Sequence, residues 1–132
     1  MTPSPRQAPA TSVARELLDQ AIALMDHPSP ATAGLWPRAS ALLARQALEV
    51  ALKTYWSKVA PGVEESSTRA QILCLHGYLQ PEPVRAAAHA WDELSRACHH
   101  RAGDLAATRD ELGRWCASVA VFLPVIETAR QP

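Results

Sequence analysis

Breaks rich in proline and glycine cut this chain into stretches of helical length, and no stretch between them alternates with the two-residue period of a strand. Pro28, Pro30, Gly34 and Pro37 form one break, Pro61-Gly62 and Gln80-Pro81 two more, and Gly103 lies in the last. Within the stretches, apolar residues recur at steps of three and four, which lines one face of an α-helix. The sequence therefore predicts an all-α fold: a single bundle of about five helices over residues 11–132. Residues 1–10 contain Pro3, Pro5 and Pro9 without an apolar period and are predicted to be a disordered proline-rich arm.

The first helix is predicted from Ser12 to Asp26, with Val13, Leu17, Ala21, Leu24 and Met25 inward and Arg15, Glu16, Asp19 and Gln20 outward. The second, Pro37 to Val59, carries a stripe of Leu48, Leu52, Tyr55 and Val59, widened by Leu43, Ala47 and Val50. Its polar strip is narrow: Arg45, Gln46, Glu49 and Lys53. A helix apolar over so wide an arc belongs at the centre of a bundle or at a subunit interface. A homodimer is expected on the ground that one small subunit has too few helices to cover that arc.

A short third helix is predicted from Ser67 to Leu79, with Ile72, Leu75, His76 and Leu79 on its stripe, and a fourth from Pro81 to His100. The fourth is read as burying Val84, Ala88, Trp91, Leu94 and Cys98. The last helix opens on Thr108-Arg109-Asp110-Glu111, a capping box in which Thr108 and Glu111 satisfy each other's backbone donors. Leu112, Trp115, Cys116, Val119, Leu123 and Ile126 form its stripe, and Pro124 is expected to kink or loosen its final turns.

At 132 residues the chain is long enough for one core, and 13 basic against 13 acidic side chains leave no net field to draw it to nucleic acid or an anionic membrane. No apolar run approaches the ~20 residues that span a bilayer, and no signal-peptide stretch is seen, so a cytoplasmic protein without a membrane partner is expected. Cys74, Cys98 and Cys116 each fall in a helical apolar pattern and are read as reduced core residues. Trp91 and Trp115 are placed in the core, while Trp36 and Trp56 are left to flank a partner surface.

One set of side chains suggests chemistry. Arg85, His89, Asp92, Arg96 and His99 recur along one face of the fourth helix, and His100 follows Arg96 by one turn. Metal-independent RNA cleavage needs a base for the 2′-hydroxyl, an acid for the leaving oxygen and a cation for the phosphorane, and histidine with arginine supplies all three. Arg96, His99 and His100 are the candidate catalytic residues, with Arg85, His89, Asp92 and Arg101 as substrate contacts. The same stripe is what the solvated face of an amphipathic helix looks like. Neither Cys74-Leu75-His76 nor Cys98-His99-His100 has the spacing of a zinc knuckle, and no P-loop or dinucleotide fingerprint occurs, so no metal and no cofactor is expected.

The decapeptide Ala44-Arg45-Gln46-Ala47-Leu48-Glu49-Val50-Ala51-Leu52-Lys53 resembles the signature helix of HEPN domains, A-x-Q-A-x-E-x-A-x-K, and Ala14 to Met25 is similar to its antiparallel partner there. The resemblance runs from about Ser12 to Val125. It implies a helical bundle that dimerises and acts on RNA, as an endoribonuclease or the toxin-type component of a bacterial defence or toxin-antitoxin system. It also implies a catalytic arginine and histidine around Ser95 to His100. The family usually separates those two by a longer interval than the three residues between Arg96 and His100, and Ala97 stands where a polar residue is common. The shortened interval favours the other reading, a non-catalytic interaction or regulatory module with a separately encoded protein partner. The doubled histidine favours the enzyme.

Overall fold

The computed structural model describes residues 12–99 and 105–129, which form an all-α bundle of five helices. The expected arm at residues 1–10 lies outside the described residues, as do His100, Arg101 and Gly103. The helices are α1 (Val13–Asp26), α2 (Trp36–Val59), α3 (Thr68–Cys74), α4 (Pro81–Cys98) and α5 (Arg109–Glu127), with short 3-10 turns at Val63–Glu65 and Leu75–Gly77.

Local chemistry accounts for most of the helix starts. Ser12 caps α1 by accepting from the Arg15 N–H at 3.0 Å, and Ser67 caps α3 by accepting from the Ala70 N–H at 3.2 Å. Proline stands in the first turn of both α2 and α4, where its missing N–H costs no helical bond. At α5 both halves of the capping box form: Glu111 N–H donates to Thr108 Oγ1 at 3.1 Å and Thr108 N–H to Glu111 Oε1 at 3.0 Å. Gly62, at φ 107°, makes the left-handed turn after α2 that a side chain would strain.

α2 is the central helix and packs against α1, α3, α4 and α5. It buries Ala41, Ala44, Ala47, Leu48, Ala51, Leu52, Tyr55 and Trp56. Of the wide apolar arc, Ala47, Leu48, Leu52 and Tyr55 are buried within the chain, while Leu43, Val50 and Val59 are only partly buried. Ser40, buried on the α1 side, donates to the Ala21 carbonyl at 3.0 Å, so it costs no unpaired hydroxyl.

α1 and α5 run antiparallel and are pinned at both ends. Ser12 Oγ donates to Glu127 at 2.7 Å at one end. Arg109 reaches Asp26 Oδ1 at 2.6 Å and the Met25 carbonyl at 3.3 Å at the other. Pro124 does not end α5; the Thr128 N–H and hydroxyl donate to the Pro124 carbonyl at 3.1 and 2.6 Å and close the last turn.

Several expectations need correction. α1 buries Ala14, Leu18, Ala21 and Met25, while Val13 is 61% exposed and Leu17 only half-buried. Small residues on α1 and α2 allow close approach, and that selects this face over its neighbour. α3 ends at Cys74 and tightens into a 3-10 turn, leaving Cys74 and His76 exposed. α4 ends at Cys98, with His99 as its cap. Trp56, expected near a surface, is fully buried; it donates from Nε1 to the Gln71 carbonyl at 3.2 Å and packs edge-on against Tyr55 and Tyr78. Trp91 and Trp115 are only half-buried against the core.

Candidate functional site at the end of helix α4

The polar stripe of α4 divides in two. Arg85 and His89 are exposed and are not among the residues that line the groove at the end of the stripe. Asp92, Arg96 and His99 instead share a groove of about 750 Å³ with Trp91 and Ser95 of α4, Thr68 and Arg69 of α3, and Arg45 and Glu49 of α2.

The contact that joins the helices is between Arg45 and His99. Arg45 Nη1 lies 3.4 Å from His99 Nε2. A guanidinium can only donate, so Nε2 accepts, and this assignment puts the ring proton on Nδ1. Arg45 Nε lies 2.9 Å from Glu49 Oε1, one turn along α2, as an ion-pair contact whose angle is not that of a hydrogen bond. Arg45 Nε, Trp91 Nε1 and Ser95 Oγ are three solvent-shielded donors of the groove's lining residues without hydrogen-bond partners.

On the α3 side, Arg69 Cζ lies 5.4 Å from the centre of the Trp91 ring, and its Nη2 reaches Asp92 Oδ1 at 3.1 Å. The carboxylate holds the guanidinium over the indole face. Arg96 pairs with Glu93 at 3.0 Å while its side chain stays 77% exposed. An ion pair this exposed is worth about 0–1 kcal/mol, so Arg96 can leave Glu93 for another anion at little cost.

The last turn of α4 is fastened to α2 as well. Arg38 Nε donates to the Cys98 carbonyl at 2.7 Å. Burial pushes the Cys98 thiol above its ordinary value of 9.0; Arg45 pulls it down, Glu49 raises it, and Arg38 pulls it down less. That thiol is held as a neutral, shielded group rather than a nucleophile.

His100 and Arg101, the other expected site residues, lie outside the described residues. Among the described residues no three His, Cys, Asp or Glu side chains gather as a metal-ligand set, and no helix is long and apolar enough to cross a membrane. Arg45, Glu49, Arg69 and Arg38 were not marked by the pattern along α4, because they arrive from other helices. The signal for two of them was the narrow polar strip of α2, since charged residues on the most apolar helix show which side its neighbours leave open. No family model, curated protein or solved structure matches this chain, so the reading of the groove rests on its own geometry.

Proposed function

We propose that the chain acts on RNA through the groove between α2, α3 and α4, as a metal-independent endoribonuclease of the kind its HEPN-like second helix implies. One observation carries the reading: Arg45 and His99, from different helices, meet at 3.4 Å in a groove that also holds the Trp91 face and the exposed Arg96. In this reading His99 takes or gives the proton and Arg96 leaves Glu93 to hold the phosphate. A second copy of the chain completes the cleft, and a toxin-type role fits such an activity.

A second reading has its own support. Arg45, Arg69 and Arg96 each already face a carboxylate, in Glu49, Asp92 and Glu93, so the groove offers little net field to a polyanion. A module that binds a separately encoded protein partner suits that balance. Incubating the purified chain with single-stranded and structured RNA, with and without EDTA, separates the two. Cleavage that persists in EDTA and is lost in His99→Ala supports the enzyme. Neither binding nor cleavage leaves the module.

A further inference from the structure

The peptide that joins Cys98 to His99 is held at both ends. Its N–H, on His99, is shared between the carbonyls of Ser95 and Arg96 at 3.2 Å each. Its carbonyl, on Cys98, accepts from Arg38 Nε at 2.7 Å. The last carbonyls of a helix have no backbone partner, and here a side chain from another helix supplies one. A peptide unit is planar, so fixing its N–H and its C=O fixes the plane from which the next side chain departs.

Arg38 and Arg45 stand seven residues apart on α2, two turns along the same face. One grips the backbone of the last residue of α4, and the other meets the imidazole that follows it. His99 itself sits at φ −103°, ψ 16°, outside the helical basin, so the regular turn of α4 does not set its direction. Nothing in the sequence marks Arg38, which lies in the first turn of α2, sixty residues from its acceptor.

We infer that Arg38 is a positioning residue for His99: its bond to the Cys98 carbonyl aims the imidazole at Arg45 and so keeps Nε2 as the acceptor and Nδ1 as the protonated nitrogen. The geometric part stands alone. Its consequence for RNA rests on the function proposed above.

The test uses the full chain with imidazole nitrogen resonances recorded for the wild type, Arg38→Ala and Arg38→Lys, the His99 signals being assigned with His99→Gln. Arg38→Ala should move the His99 signals toward those of a free imidazole while those of His27, His76 and His89 stay in place. Arg38→Lys, which keeps a cationic donor on a flexible stem, should return them part of the way. RNA affinity, read by fluorescence anisotropy, should fall about tenfold in Arg38→Ala, the size of effect expected from a charge-assisted hydrogen bond. Unmoved His99 signals in Arg38→Ala would overturn the inference. So would movement of all the histidines together, which would make Arg38 a general support of the fold. If the wild type binds no RNA, the functional reading fails while the resonances still decide whether Arg38 positions His99.

Discussion

The indole of Trp56 donates to the main-chain carbonyl of Gln71, tying the far half of α2 to α3 through a side chain that no solvent reaches. Gln71 is itself buried and donates to the carbonyls of Glu64 and Ser66 at 3.2 and 2.9 Å, so one indole and one amide fasten the whole connection between the two helices. Trp56→Ala should therefore cost about 3–5 kcal/mol, the usual loss for a buried large aromatic. Trp91→Ala, at a half-buried position, should cost less than about 2 kcal/mol. Urea denaturation of the two variants gives the ranking, and the reverse order would mean the core is centred on α4 rather than α2.

The three thiols should divide by accessibility. Cys74 is exposed and should react at once with a chromogenic disulfide reagent, whereas Cys98 and Cys116 are buried, and burial pushes the Cys116 thiol up to about 11. One fast equivalent in the folded protein and three in denaturant is the expected count. Rapid reaction of a second thiol without denaturant would show that the helix ends around Cys98 open.

Glu111 links the start of α5 to pH. The Thr108 backbone and side-chain hydrogen bonds hold its carboxyl below the ordinary 4.5, so the charged form belongs to the folded state. A depressed carboxyl adds stability that is present above the unfolded value and is lost as pH falls through the folded one. Melting temperature should thus drop as pH is lowered through about 4.5 and below, and less steeply in Glu111→Gln, which keeps a capping side chain without the titration. Thr108→Ala should cost about 1 kcal/mol at neutral pH. Parallel slopes for wild type and Glu111→Gln would remove Glu111 from the acid transition.

For the proposed nuclease, Arg96→Ala and His99→Ala should each lower cleavage by about a hundredfold or more while leaving the melting curve close to that of the wild type. Both side chains are exposed, so their loss removes chemistry rather than packing. Arg45→Ala should behave differently, lowering both activity and stability, because the half-buried Glu49 loses its cation. Activity assays paired with thermal melts distinguish these patterns.

What could be read from the chain follows from how far each signal reaches. The capping box at Thr108 and Glu111 is local, and it stands as the residues imply. The inward face of α1 is not local: Leu17-Leu18 and Leu24-Met25 are apolar doublets that supply two overlapping stripes, and only packing against α2 chooses between them. Trp56 and Trp91 lie on helices of different rank in the bundle, and that rank is a property of the whole assembly. The groove was half legible for the same reason. Spacing along α4 picked out Asp92, Arg96 and His99, but no periodicity within one helix can bring Arg45 from α2 or Arg69 from α3 to meet them.

The pinning of α1 to α5 has a consequence for the order of assembly. Ser12 and Glu127 are separated by 115 residues, and Arg109 and Asp26 by 83, so both clasps close long loops and bring little reward until everything between them is made. During synthesis α1 can pair early with α2, its immediate successor, yet the flank that α5 will cover stays open until α5 leaves the ribosome. A nascent chain halted before Arg109 would leave the faces of α1, α2 and α4 that α5 packs against open to solvent, a natural target for a chaperone.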